Sequence, residues 1–239
     1  MIDLHCHILP ALDDGAADLD DSLGMARQAA ADGIEVVCAT PHIRHDHDVL
    51  IHELPERVAA LNGELERVEL PVRVTTGGEL AETSAAGIDL EELRGVSLDG
   101  GGRWVLLEPA PGPLSASLAE TVDHLRERGC RSIVAHPERH LAGDFEQRLA
   151  DLVERGALVQ VTAALLEGAE AAKTVVRLAH DGLVHLLGSD AHSSRAGRPL
   201  RLSGGAAALR GAGLVPERVE WIVREAPAAI LRGEDVAAP

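Results

Sequence analysis

The sequence predicts an α/β fold, a distorted barrel of about seven parallel strands joined by helices. Two observations carry that reading. Short apolar, β-branched runs alternate along the chain with segments of helical periodicity, and a strand followed by a helix, repeated, requires parallel strands joined by right-handed crossovers. Nearly every apolar run also ends in a histidine or a carboxylate: His5 and His7, His42, Glu79, Glu108, His136, Asp190 and His192. An open sheet gathers ligands at one switch point, whereas a closed barrel brings all its C-terminal strand ends to one mouth. Polar endings spread over the whole chain fit the barrel.

The strand candidates are Ile2–Leu4, Ile34–Ala39, Val72–Thr76, Trp104–Leu107, Arg131–Ala135, Leu158–Thr162 and Val184–Leu187. Each is a near-continuous apolar run, as expected for a parallel strand buried on both faces. Helical spacing predicts helices over Asp21–Asp32, Val49–Val68, Ser115–Arg128, Phe145–Arg155 and Glu167–His180, with Gly33, Gly129, Gly156 and Gly182 as C-terminal stops. Pro199–Gly213 and Val215–Leu231 read as closing helices, and Asp99–Arg103 as a turn. No internal repeat or linker divides the chain, so residues 1–239 are expected to form one domain.

Composition narrows the function. A formal charge of −17 opposes binding to nucleic acid or to an anionic membrane. Any phosphate the protein handles must therefore meet local cations. Trp104, Phe145 and Trp221 are the aromatic residues, which weakens a base-stacking role and leaves the core to Leu, Val, Ile and Ala. Cys6, Cys38 and Cys130 are odd in number, far apart and set in apolar runs, which suits a reducing compartment. With no signal-like opening and no apolar stretch near the ~20 residues of a bilayer span, a cytoplasmic protein without membrane insertion is expected.

The polar strand ends carry the chemistry. His5 and His7 stand two apart on extended backbone, so both imidazoles point to one side and can share a metal. Asp190 and His192 repeat that spacing after the last strand, and Thr40-Pro41-His42 and Ala135-His136-Pro137 both set a histidine beside a proline at a strand end. Glu79 follows Gly77-Gly78, whose missing side chains would let backbone approach a cluster closely. Glu108 ends the buried run Trp104–Leu107, where an unpaired carboxylate would be costly and a cation partner explains it. Asp13 and Asp14 precede Gly15 and suit turn chemistry as well as ligation. His45, His47 and His52 read as solvated residues. Histidines mixed with carboxylates, with no paired cysteines, favour Mn, Fe, Zn or Mg over a thiolate structural site. So many donors exceed the need of one ion and imply two or three.

The stretch Met1-Ile2-Asp3-Leu4-His5-Cys6-His7-Ile8-Leu9-Pro10, followed by Leu12-Asp13-Asp14-Gly15-Ala16, resembles the PHP (polymerase and histidinol phosphatase) superfamily. Within it the chain is similar to the bacterial tyrosine-protein phosphatases associated with capsular and exopolysaccharide synthesis. The similarity runs through Thr40-Pro41-His42, Gly78-Glu79, Glu108, His136-Pro137-Glu138-Arg139 and Gly188–His192, covering residues 1 to about 200. It implies a TIM-like barrel of seven strands with three divalent ions, manganese in the best-known members. Carried onto matching positions, one ion takes His5, His7, Glu79 and Asp190; a second shares Glu79 and adds Glu108 and His136; Asp14, His42 and His192 hold the third. Hydrolysis would proceed by activated water without a covalent phospho-enzyme. Arg139 matches an arginine placed against the phosphate. For a second arginine both Arg195 and Arg198 are candidates, and the Gly-Arg-Pro context favours Arg198.

The resemblance implies a phosphotyrosine protein as substrate, with a bacterial tyrosine kinase as the expected partner. Two other functions stay open on the sequence. One is a small-molecule phosphatase of the same superfamily, acting on histidinol phosphate or a nucleotide. The other is a non-catalytic metal-binding regulatory partner of a tyrosine kinase. The scarcity of aromatic residues to stack on a tyrosyl ring bears on substrate identity more than on metal binding.

Overall fold

A computed structural model describes residues 1–168 and 170–236. In chain order its elements begin β1 (Ile2–Cys6), α1 (Leu19–Asp32), β2 (Val36–Ala39), β3 (His42–Ile43), α2 (Leu54–Arg67), β4 (Arg73–Thr76), β5 (Glu79–Ala81) and α3 (Leu90–Val96). They continue with β6 (Trp104–Glu108), α4 (Ala116–Glu127), β7 (Arg131–Ala135), α5 (Phe145–Glu154), β8 (Leu158–Thr162), α6 (Glu170–His180) and β9 (Leu186–Gly188). Then come α7 (Ser203–Gly211), α8 (Pro216–Glu220) and α9 (Ala226–Leu231).

All described strand pairs are parallel, as the alternating pattern predicts. They form two ladders, β1-β2-β4 and β3-β5-β6-β7-β8-β9. The ladders share their chain path: β2 leads through Thr40-Pro41 into β3, and β4 leads through Gly77-Gly78 into β5. Each pair is one strand broken in the middle, so nine short strands follow a seven-strand course. Proline 41 has no N–H to offer the ladder, which accounts for the first break. At the seam, the Asp190 N–H donates to His5 O at 2.9 Å and the His7 N–H to Ala191 O at 2.9 Å, joining β1 to the chain just past β9. Buried Asp3 reinforces the seam by accepting from the Ser189 and His5 N–H groups at 3.1 and 3.2 Å. The expected distorted barrel of seven parallel strands is the architecture found.

The helices bury the faces their spacing sets. Leu54, Val58, Leu61 and Leu65 recur three or four positions apart and place one apolar stripe of α2 against the strands. Asp18 caps α1 by accepting from the Asp21 N–H at 2.8 Å, and Gly33 closes it in the left-handed region at φ 77°. Between α8 and α9 the chain makes a π turn at Trp221–Glu225. Pro227 lacks the N–H that would have closed on Val223, so the wider turn absorbs the missing bond.

Several boundaries differ from the sequence reading. The helix expected over Val49–Val68 starts at Leu54, preceded by a 3-10 turn at Ile51–Glu53. That over Glu167–His180 starts at Glu170 after a 3-10 turn at Ala163–Glu167, and Ala169 within it lies outside the described residues. Pro199–Gly213 is helical over Ser203–Gly211. Gly77 and Gly78 make close approaches to core side chains rather than to the polar cluster: a Cβ would meet Cys38 Sγ at 2.7 Å and Ile43 at 2.8 Å.

Candidate metal centre

At the C-terminal end of the barrel the strand-end residues converge. His5 lies in β1 and His7 just beyond it; His42 and Glu79 open β3 and β5, paired in register. Glu108 closes β6, His136 follows β7, and Asp190 and His192 follow β9. His136 and Asp190 take positive φ, 32° and 49°. That region is strained for residues with a Cβ, and here it turns each side chain out of the strand direction and into the mouth.

Glu79 is the hub. Fully buried, its carboxylate oxygens lie 3.2 Å from His5 Nε2, 3.4 Å from His7 Nε2, 3.0 Å from His42 Nδ1 and 2.9 Å from His136 Nε2. Burial works against its charge, but the imidazoles around it, His5 foremost, hold the carboxyl well below the usual carboxylate range. Asp190 Oδ1 faces His5 Nε2 at 3.6 Å and His7 Nε2 at 3.8 Å. Asp14 Oδ1 lies 3.4 Å from both His42 Nε2 and His192 Nε2. Burial and the neighbouring His7 push His192 down to about 3, whereas burial of His7 itself is outweighed by Asp13 and Glu79, which raise it to about 9. The two imidazoles, stacked 3.9 Å apart, move in opposite directions because His7 has two close carboxylate partners while His192 is governed by burial and by His7.

The donors fit a group of cations. His5 Nε2 and His7 Nε2 face each other at 3.4 Å, too far and too alike for a good mutual hydrogen bond but converging as two ligands of one ion would. Buried Glu79 Oε2 and His42 Nδ1 lie 3.0 Å apart but are not aligned for a hydrogen bond with each other or with any other described residue. Four sets of donor atoms each lie within 4.8 Å of one another: His7-Asp14-His42-His192, His5-His136-Asp190, His5-His7-Glu79 and His42-Glu79-Glu108. All nine candidate ligands are thus brought together. The second set implied by the resemblance is divided, because Glu108 groups with His42 and His136 with His5 and Asp190.

Supporting side chains fix the rings. His7 Nδ1 meets Asp13 Oδ2 at 2.7 Å, and Asp13 also accepts from the Gly15 and His42 N–H groups. Asp13 therefore orients a candidate ligand rather than merely shaping a turn. His5 Nδ1 meets Gln160 Oε1 of β8 at 2.8 Å, and each such contact leaves Nε2 free to face the mouth. Asp21 of α1 holds the loop beyond His192 by accepting from Ser194 N at 2.7 Å and from the Ser193 hydroxyl. Neither Gln160 nor Asp21 carries a motif signal.

Two arginines rim the mouth. Arg139 and Arg198 both pair with Asp190 Oδ2, and Arg198 Nε donates to the Asp190 carbonyl at 2.9 Å. Arg139 thus touches a candidate ligand, a closer engagement than the loop position alone suggests. Arg195 instead pairs with Asp18 on the surface at 2.7 Å. His45 and His52 are exposed as expected, but His47 stacks on His42 with ring centroids 5.2 Å apart.

A parallel barrel whose mouth gathers imidazoles and carboxylates around one buried glutamate defines a hydrolase-type metal barrel. The sequence model of the family described as "Capsular polysaccharide synthesis, CpsB/CapC" matches residues 1–232, and the chain belongs to that family. It is 34% identical over 200 residues to the tyrosine-protein phosphatase YwqE of Bacillus subtilis, a match covering 81% of this chain and 78% of YwqE. The tyrosine-protein phosphatase CpsB of Streptococcus agalactiae is 23% identical over 207 residues, covering 81% of this chain and 83% of CpsB. Among solved structures, a chain from work on YwqE of Bacillus subtilis and CpsB of Streptococcus pneumoniae, described as unique metal-dependent tyrosine phosphatases, superposes with a TM-score of 0.84 at 28% identity. That match covers 100% of this chain and 97% of the other. The phosphotriesterase homology protein of Escherichia coli, at 14% identity and a TM-score of 0.65 over 95% of this chain and 97% of its own, shares the fold.

Proposed function

We propose that this protein is a metal-dependent phosphoesterase that hydrolyses phosphotyrosine on protein and acts in the control of capsular or exopolysaccharide synthesis. The observation that carries the reading is Glu79, a fully buried carboxylate facing four imidazoles. The family and the relatives named tyrosine-protein phosphatases support the substrate class. The cysteines support the absence of a thiolate nucleophile: Cys6, Cys38 and Cys130 are all free and buried, and burial pushes the Cys38 thiol up to about 12.

The reading assigns three divalent ions, manganese foremost, to His5, His7, Glu79 and Asp190, to Glu79, Glu108 and His136, and to Asp14, His42 and His192. Bound there, they supply Lewis acidity for the activation of water and for neutralising phosphate charge. The protein's own part is to hold the donors rigidly and to receive the phosphate. Asp13 and Gln160 fix the His7 and His5 rings. The guanidinium groups of Arg139 and Arg198, partly exposed on the rim, offer paired donors to non-bridging phosphate oxygens. Their interaction strengthens as charge develops on those oxygens during transfer. A tyrosine kinase is the proposed protein substrate and the cytoplasm the proposed compartment; no described helix is long and apolar enough to cross a membrane.

The test is a turnover screen of purified, manganese-loaded protein. Phosphotyrosine peptides should be hydrolysed well above phosphoserine peptides, histidinol phosphate and nucleotides. A strong preference for one metabolite would replace the protein-phosphatase reading, and metal binding without turnover would leave a regulatory module.

A further inference from the structure

Two of the five large apolar residues that stand exposed among the described ones, Leu50 at 52% and Leu90 at 56%, flank one hollow of about 470 Å3. Its floor is the 3-10 turn Ile51–Glu53, the start of α2 at Pro55 and the first turns of α3. Gly95 lets α3 close on that turn, where an added Cβ would meet Ile51 at 2.5 Å. Asp89, Glu91 and Glu92 line the hollow. The capping box of α3 fixes two of these carboxylates, since Asp89 accepts from the Glu92 N–H at 2.8 Å and Glu92 from the Asp89 N–H at 2.9 Å. Both walls follow the C-terminal ends of strands, β3 and β5, so the hollow lies at the mouth end of the barrel, outside the ring of candidate ligands. It shares Val49, Ile51 and Glu92 with a smaller depression lined by Arg44 and His47. These two residues reach the centre: Arg44 Nη1 lies 3.4 Å from Glu108 Oε2, and the His47 ring stacks on His42.

We propose that this hollow docks the polypeptide flank of the phosphotyrosine substrate, an aliphatic side chain with lysine or arginine beside it. The proposal rests on the phosphatase reading above and places substrate selection on the polypeptide rather than on the tyrosyl ring. Single exposed apolar residues need no explanation, but two beside one hollow leave apolar surface that a bound side chain would remove from water. Charge decides the character of that partner. The protein carries −17 and the substrate's phosphate is itself anionic, so approach is opposed unless the substrate brings cations of its own. Three carboxylates beside the apolar floor offer those cations partners, whereas among the lining residues His52 alone can carry positive charge. Each residue of an extended segment advances about 3.3 Å. A substrate whose phosphotyrosine enters the mouth therefore lays its next few residues over Arg44 and His47 toward the hollow. An anchor outside the mouth gives selectivity to a site with few aromatic residues to stack on the tyrosyl ring.

The test compares phosphotyrosine peptides of equal length on manganese-loaded protein. One carries leucine between lysines about two to five positions from the phosphotyrosine, another leucine between glutamates, and a third serines alone. The lysine–leucine peptide should show kcat/KM at least about tenfold above the glutamate–leucine peptide, with the serine peptide between, and the advantage should shrink as salt rises. Leu50→Ser combined with Leu90→Ser alters side chains that the fold leaves exposed, and Glu91→Lys reverses one exposed charge. Each change should bring the ratio below about threefold, while p-nitrophenyl phosphate, which has no flank, is turned over within about twofold of the unaltered rate. Equal kcat/KM for the three peptides, or an unchanged ratio in both variants, overturns the docking surface. So does a dimer in light scattering that the leucine changes dissolve, because the hollow would then belong to a second copy of the chain. If no phosphotyrosine peptide is hydrolysed, the phosphatase reading falls, and the same ratio read as calorimetric affinity still decides the docking surface.

Discussion

The Nε2 atoms of His5 and His7 face each other at 3.4 Å while their Nδ1 atoms are held by unlike partners, Gln160 and Asp13. One ring is anchored by a neutral amide, the other by a carboxylate. Two imidazoles aimed at one point from a single extended segment need such anchors, since free rotation of either ring would disperse the donors.

Removing an anchor should therefore weaken the centre without touching a ligand. Gln160→Leu and Asp13→Asn are each expected to lower manganese affinity about 10- to 100-fold, read by calorimetric titration of chelator-treated protein. Wild-type affinity in both would show that the rings need no support.

Activity should vanish on chelation and return with manganese. His136→Ala and Asp190→Ala should lose turnover by orders of magnitude, while Cys6→Ser, Cys38→Ser and Cys130→Ser retain most of it. The check is steady-state kinetics alongside elemental analysis. A cysteine variant that is folded and metal-replete yet inactive would require a different nucleophile.

Arg139 separates phosphate binding from metal assembly. Arg139→Ala should lower turnover roughly ten- to a thousandfold, about 1.4–4 kcal/mol of transition-state stabilisation, with metal content unchanged. Lysine should rescue in part, because it keeps the charge and loses the planar fork. Loss of metal in the alanine variant would make the contact of Arg139 with Asp190 structural instead.

Acid stability should depend on His185, at the opposite end of the last strand from the metal centre. Its Nδ1 accepts the Val159 N–H at 3.1 Å, and burial, with the nearby Arg218, lowers its pKa from 6.5 to about 4. A folded-state pKa below the unfolded value favours the neutral ring. Its contribution is full above about pH 6.5 and is lost as pH falls toward 4, an effect of about 3 kcal/mol. His185→Asn can still accept that N–H and does not titrate, so its urea midpoint should fall less between pH 7 and pH 4.5. Parallel losses in the two proteins would place the acid sensitivity elsewhere.

The strands were legible where burial on both faces writes an apolar run, as in Trp104–Glu108 and Leu158–Thr162. Strands β3 and β5, of two and three residues, leave no periodicity to read, and α3, with seven residues, barely completes two turns. In the site, the residues at strand ends announced themselves because a charged or imidazole side chain there contradicts its apolar surroundings. Gln160 and Asp21 did not. Their roles depend on contacts with His5 and Ser194, 155 and 173 positions away, and nothing local distinguishes them from an ordinary strand amide or first-turn aspartate.

The seam between β1 and the chain past β9 ties residue 6 to residue 191, a separation of 185 positions. His5 and His7 are synthesised well before Asp190 and His192. A nascent chain that has not yet reached β9 thus displays scattered imidazoles without the donors that complete the candidate centre, so metal loading waits on long-range closure of the barrel. Products truncated before β9 would lack both the seam and those two donors.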